Sequence, residues 1–253
     1  MIRHPARELA ERRRAASERL RREVQGADGS LSDRYHREFR RSVDRPARAT
    51  TLDRLFGACA RARVAFVGDF HAVPVYQDFA SRVLEQTVAR APRVGLGVEF
   101  VFTRQQASLD GLQRGDLDDA TFRRRIHYRE EWGYPWDGYG RLLATARRLD
   151  VPVFALDVSP RAGVRELRRR DDHAARRIAA ILEHHPGMRL VVLFGESHLA
   201  PSHLPSKVDR RLRAAGLTGR TARVFQSPDE VYWRAAGRRD RLPEAVHLGD
   251  RSW

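Results

Sequence analysis

The chain has 253 residues, 42% of them hydrophobic, enough for one large α/β domain or two small ones, and one domain behind a basic extension is expected. Its formal charge of +15 would by itself suggest nucleic acid or an anionic surface, but Lys207 is the sole lysine and the arginines are scattered among acids without a recognition motif. The charge is therefore read as a composition bias and nucleic acid is not expected as a partner. Cys59, the one cysteine, excludes an internal disulfide, a thiolate zinc site and an iron–sulfur cluster, and no run approaches the roughly 20 apolar residues that cross a bilayer.

Met1-Ile2-Arg3-His4-Pro5 leads into alternating charge without the apolar stretch of a secretory signal, so the cytoplasm is the expected location. From Pro5 to Val24 the pattern predicts a charged helix whose Ala10, Leu20 and Val24 are too sparse for a wide apolar face. Gly26-Ala27-Asp28-Gly29-Ser30 breaks it, and Leu31 to Ala49 stays polar and Arg-rich. The boundary is placed near residue 48: a partly helical, Arg-rich extension over 1–48 and an α/β domain over 49–253.

Thr51 to Ala62 predicts a helix carrying Leu55, Phe56 and Cys59 on one side, with Cys59 a small buried hydrophobe. Arg63 to Phe70 reads as a fully buried parallel strand, and Tyr76, Phe79, Ala80, Val83, Leu84, Thr87 and Val88 then follow at helical spacing. A second strand, Arg93 to Phe100, contains Glu99. Two short helices are expected over Thr103 to Leu112 and Asp116 to Ile126, then an aromatic loop, a helix from Trp136 to Leu149 and a strand from Val151 to Val158. Asp172 to His185 predicts a helix, Arg189 to Glu196 a buried strand, Pro205 to Ala215 a helix ended by Gly216, and Thr221 to Gln226 a last strand. Strands alternating with helices give an α/β class with a mostly parallel sheet.

Two peptides carry the chemistry. Gly68-Asp69-Phe70-His71 and Gly195-Glu196-Ser197-His198 each end a buried strand, the edge where open α/β sheets place ligands. With Glu99 they offer two imidazoles and up to three carboxylates. His71, Glu99, Glu196 and His198 suit a divalent transition metal such as Zn, Mn, Fe or Co, and the same residues suit general acid and base work without metal. The bland alternative is that Asp69 and Glu196 cap helices and the histidines are satisfied by backbone groups. His203 follows in a Pro-bounded loop and is a candidate for the same crevice. His184 and His185 read as helix C-terminal residues, and His173 and His247 as surface residues. Tyr128-Arg129-Glu130-Glu131-Trp132-Gly133-Tyr134-Pro135-Trp136-Asp137-Gly138-Tyr139 either plugs one end of the sheet or lines a pocket for a flat ligand.

Gly68-Asp69-Phe70-His71, Gly97-Val98-Glu99-Phe100, Trp132-Gly133-Tyr134-Pro135-Trp136 with Tyr139, Ala155-Leu156-Asp157-Val158, Arg170-Asp171 followed by Ala174-Ala175 and Ile178, and Gly195-Glu196-Ser197-His198 stand in this order. The ordered set resembles the ChaN family of haem-binding uptake proteins, in the superfamily that also holds Tiki proteases, TraB proteins and erythromycin esterases. The likeness spans about residues 60 to 230, with Asp69 standing where a Glu is expected. It implies a three-layer α/β/α domain and, in ChaN-like members, iron-associated haem binding, often as a homodimer. The haem contacts would be His71, His198 and one of Tyr128, Tyr134 or Tyr139, with Arg129 or Arg170 pairing with propionates. Other branches imply a metal-dependent or metal-free hydrolase. There His71 and His198 bind metal or move protons, Glu99 or Glu196 is the general base, and Asp69 orients His71. A third reading is a binding module that kept the fold without the chemistry.

Overall fold

Five apolar runs become the strands of one sheet in the computed structural model, which describes residues 32–161, 164–217, 219–226, 229–236, 243–249 and 252–253. They are β2 (Val64–Asp69), β3 (Val94–Phe102), β4 (Val153–Asp157), β5 (Arg189–Gly195) and β6 (Thr221–Val224), in the order β4-β3-β5-β2-β6. Every pairing between them is parallel, so their C-terminal ends share one rim. The charged helix predicted over Pro5 to Val24 lies outside the described residues.

Alternation along each strand feeds two cores. Ala65, Val67, Val98, Val191 and Leu193 pack on one face under α2 (Leu52–Arg61), α3 (Pro74–Val88) and α7 (Trp136–Arg148). The short helices α4 (Gln106–Arg114), α5 (Asp119–Arg125) and α6 (Tyr128–Glu131) lie on that side too. Val64, Phe66, Leu190, Val192 and Phe194 pack on the other face under α8 (Val164–His184) and α9 (Leu204–Ala214). This is the three-layer α/β/α arrangement that βαβ units build when helices cover both faces of a parallel sheet.

Local signals place most boundaries. Thr51 caps α2 by accepting from the Arg54 N–H, Pro74 opens α3, and Gly216 follows α9 in the left-handed region at φ 67°. Cys59 is buried and its thiol is pushed up to about 12 by burial, consistent with an inert core residue.

Five elements depart from the sequence expectation. The stretch from Leu31 to Ala49, read as merely polar, contains α1 (Ser32–Val43), whose Tyr35, Phe39 and Val43 recur every fourth residue and pack on the domain. Helix α8 reaches back to Val164 rather than starting at Asp172, because its first two turns carry charged residues and no apolar stripe. Two further strands, β1 (Arg48–Thr50) and β7 (Ala245–His247), form a separate antiparallel pair. A last helix, α10 (Asp229–Ala236), precedes β7. No helix among the described residues is long and apolar enough to cross a membrane.

Candidate active site

The rim of β3, β5 and β2 brings both Gly-acid-x-His peptides against Glu99. Glu99 points from β3 onto the α8 face, and β5 lies beside it. One carboxylate oxygen, Oε1, accepts from Arg170; the other, Oε2, accepts from the backbone N–H of Gly195. Arg170 also forks onto Asp157 at the end of β4, with Nε and Nη2 each 2.9 Å from a carboxylate oxygen. Burial alone would weaken these charges. The Arg170 guanidinium is nevertheless held above its ordinary pKa by Glu99 and Asp157, and the Asp157 carboxyl below the usual carboxylate range by Arg170 and Arg161. Arg161 completes the cluster, bonding Asp157 at 2.8 Å and the Glu99 carbonyl at 3.1 Å while lying over the Phe102 and Trp132 rings.

Beyond the end of β2, Asp69 Oδ2 accepts from His71 Nδ1 at 2.8 Å and from the Tyr139 hydroxyl at 2.7 Å, while Gln77 donates to Oδ1. Tyr139 and Gln77 come from the packed pair α7 and α3, so this carboxylate is fixed from three sides. The imidazole tilts against Trp132 and Tyr134, at centroid distances of 4.5 and 4.9 Å. Its side chain is 21% exposed. Burial opposes the His71 charge, but the charge and hydrogen bond of Asp69, helped by Glu99, outweigh it, so the imidazole pKa is raised. His71 Nε2 turns the other way: a Cβ on Gly195 would sit 3.2 Å from it and 3.3 Å from Glu99 Oε2. Glycine at 195 thus leaves room between the imidazole and the carboxylate.

After β5, a short 3-10 turn (Glu196–Leu199) carries His198 under α8. Its Nδ1 lies 2.6 Å from Asp171 Oδ1 and 3.0 Å from the Tyr35 hydroxyl, which itself donates to Asp171 Oδ2 at 2.9 Å. Nε2 faces Glu99 Oε1 at 3.9 Å. His198 Nε2 thus faces one oxygen of Glu99, His71 Nε2 and the other oxygen both border the Gly195 position, and each imidazole has an aspartate on Nδ1. His203 lies behind His198, stacked on Tyr35 at 3.6 Å, with its nitrogens on the Ser197 carbonyl and Glu38.

Other predicted residues go elsewhere. Glu196 is buried but turns toward β6, accepting from the Gln226 backbone N–H and packing where a Gly68 Cβ would be, 2.2 Å from its Cγ, so glycine is required there. The proposed metal set His71, Glu99, Glu196 and His198 does not close: both Glu99 oxygens already accept from protein donors, and no group of three or more His, Cys, Asp or Glu among the described residues could hold a metal ion. Of the proposed haem contacts, His71 and half-buried Tyr134 reach the surface together and would be the residues able to meet such a ligand, and Arg129 is exposed on the same segment. His198, Tyr128, Tyr139 and Arg170 are buried, and the Arg170 guanidinium is enclosed by Glu99 and Asp157, which does not suit propionate binding. His184 bonds its own helix at the Ala180 carbonyl, as its position predicts; His173, expected on the surface, is half-buried within α8 and bonds Thr103 at 2.8 Å.

Sequence reasoning missed Tyr35, Gln77 and Arg161, and named Asp157 and Asp171 only as pieces of a family pattern. Signals existed for three of them. Asp157 ends a buried strand as Asp69 does; Asp171 falls on the same helical stripe as Ala174, Ala175 and Ile178; Tyr35 leads the stripe continued by Phe39 and Val43.

The model of the haem-binding uptake, Tiki superfamily, ChaN family matches residues 55–171. None of the curated proteins matches the chain in sequence. Among solved structures, the chain is similar to ChaN of Campylobacter jejuni, described with cofacial haem, at 11% identity and a TM-score of 0.52, over 69% of this chain and 85% of that one. It is similar to the type III effector HopBA1 at 12% identity and a TM-score of 0.51, over 72% and 86%. A bacterial protein toxin aligns at 15% identity and a TM-score of 0.51 over 81% of this chain, which spans 44% of the toxin. At such identities these likenesses speak for the fold, whereas the family model reaches the Asp69, His71, Glu99, Tyr139 and Asp171 positions themselves. Residues 55–171 thus match the model of the ChaN haem-binding uptake family of the Tiki superfamily.

Proposed function

We propose that the protein is a hydrolase acting on a carbonyl ester or amide by metal-free acid–base chemistry at His71, Glu99 and His198. The observation that carries this reading is the Glu99 carboxylate facing the Nε2 atoms of two imidazoles whose Nδ1 atoms are each held by an aspartate. An aspartate on Nδ1 fixes the tautomer and leaves Nε2 as the reacting nitrogen. A water between His71 Nε2 and Glu99 Oε2 gives its proton to His71 as its oxygen adds to the carbonyl carbon. When the bond to the leaving alcohol or amine breaks, the imidazolium returns that proton to the leaving atom. Arg170 keeps Glu99 aimed, and His198 bounds the far side of the carboxylate.

The test uses the purified full chain with p-nitrophenyl acetate and a peptidyl anilide, with and without a chelator. Hydrolysis that survives chelation and falls by about 10²–10⁴-fold in His71→Ala is expected. Absence of hydrolysis with both probes removes the proposal.

A second reading is favoured by the family model and by His71 reaching the surface between Trp132 and Tyr134: haem, or a related iron ligand, docks at that opening. Haem supplies redox and ligand-binding chemistry when bound; the chain's own part is an imidazole ordered by Asp69 and two flanking aromatic rings. Haemin titration separates the readings. A shifted Soret band that disappears in His71→Ala and persists in His198→Ala supports docking, and light scattering on the loaded protein tests a homodimer.

A further inference from the structure

We infer that Tyr35, on the helix α1 that precedes the family-matched stretch, is a positioning residue for His198, and that α1 is part of the site. This rests on the hydrolytic reading for its consequence in rate, but not for its geometry.

Donors and acceptors around His198 decide where the protons lie. The Tyr35 hydroxyl has one proton, and the carboxylate of Asp171, 2.9 Å away, can only accept, so the proton goes there. What the phenol oxygen then offers His198 Nδ1, at 3.0 Å, is a lone pair. Asp171 Oδ1, at 2.6 Å from the same nitrogen, offers another. Both neighbours therefore demand a proton on Nδ1, which leaves Nε2, facing Glu99, as the free nitrogen. Tyr35 also fixes the second oxygen of Asp171, so the carboxylate cannot rotate away from the ring.

The other histidine repeats the wiring. Tyr139 donates to Asp69, which holds His71 Nδ1, and its oxygen lies 3.5 Å from that nitrogen. Two Tyr–Asp–His sets thus meet at Glu99, one with its tyrosine from α7 and the other with its tyrosine from α1. The Tyr35 side chain is itself held firmly, being 2% exposed with its ring stacked on His203, and Glu38 one turn later pairs with His203 at 3.0 Å.

The experiment compares Tyr35→Phe, which keeps the ring and its stacking, with Glu38→Gln, which loosens the helix anchor without touching the phenol. NMR of the full chain follows the His198 Nδ1–H proton. Because that proton has two acceptors with tyrosine and one with phenylalanine, its shift moves in Tyr35→Phe and stays in Glu38→Gln. With p-nitrophenyl acetate, kcat falls about tenfold in Tyr35→Phe, the value of one lost hydrogen bond, with KM unchanged. An unmoved Nδ1–H signal in Tyr35→Phe overturns the inference, and so does an equal shift in Glu38→Gln, which would reduce α1 to packing. Wild-type protein without hydrolysis refutes the hydrolytic reading alone, since the NMR arm still decides the role of Tyr35.

Discussion

The two histidine sets are wired alike and differ in access. His71 and His198 each have an aspartate on Nδ1, a tyrosine on that aspartate and Glu99 on the Nε2 side, yet the His71 side chain is 21% exposed and that of His198 3%. The cause lies in what covers them. His71 stands on the turn between β2 and α3 against the open aromatic segment, whereas His198 is closed in by α8 and α1. On the hydrolytic reading proposed above, equal wiring with unequal access divides the work: the exposed imidazole would meet the ligand, and the buried one would set the shape and field behind Glu99.

The sharpest way to break that comparison is to remove what both halves share. Arg170→Met strips the guanidinium from Glu99 and Asp157, both buried, and the loss of one partner from such a cluster costs about 3–5 kcal/mol. Chemical denaturation followed by circular dichroism measures it. A loss below about 1 kcal/mol, on that same scale for buried pairs, would mean that the carboxylates hold their places without the arginine.

Alanine at each histidine then separates access from anchoring. His71→Ala leaves Asp69 bonded to Tyr139 and Gln77, so stability changes by under about 1 kcal/mol while hydrolysis is lost. His198→Ala leaves Asp171 Oδ1 short of a partner in a closed site and costs about 1–3 kcal/mol. Thermal melts and initial rates on the pair would reverse the assignment if the larger stability loss fell on His71.

The pH dependence sharpens the His71 side. A base must be neutral to accept a proton, so the acidic limb of the rate profile lies above the ordinary histidine range, near 6.5, because Asp69 raises the His71 pKa. Asp69→Asn removes the charge and moves that limb to lower pH, alongside a fall in rate from the altered tautomer. Linkage gives the matching sign in stability. The native state holds the His71 proton more tightly than the unfolded chain, so this contribution is complete below the unfolded pKa and is lost as pH rises through the raised native one. In Asp69→Asn the decline across that window flattens, as urea melts at several pH values would record.

Much of this site was legible because its signals are local. A buried strand that ends in Gly-acid-x-His announces itself within a single short run of sequence, and the parallel sheet then puts Glu99 and both peptides on one rim without further information. The convergence on Glu99 was not legible. Parallel strands of similar composition do not reveal their order, and only the order β3-β5-β2 sets Gly195 between Glu99 and His71. Tyr35 was hidden for another reason: an apolar stripe as short as Tyr35, Phe39 and Val43 in an arginine-rich helix is faint beside the charge around it. Arg170 and Asp171 stand next to each other on α8, yet reach different partners, Glu99 and His198, because successive helical residues diverge by about 100°.

Glu196 tests how far motif reading can be trusted, and carries the smallest expected effect. It occupies in its peptide the place of Asp69, which holds His71; the aspartate that holds His198 comes instead from α8, and Glu196 turns to the Gln226 backbone N–H. An amide oxygen accepts that bond as a carboxylate does. Glu196→Gln should therefore keep stability within about 1 kcal/mol, the scale of one altered hydrogen bond, and keep kcat within a few-fold. Asp171→Asn, which alters the partner His198 does use, should lower kcat far more. Were Glu196→Gln the more damaging of the two in rate assays at fixed pH, the second peptide would supply chemistry of its own, and the division between an exposed working histidine and a buried anchoring one would have to be redrawn around that carboxylate.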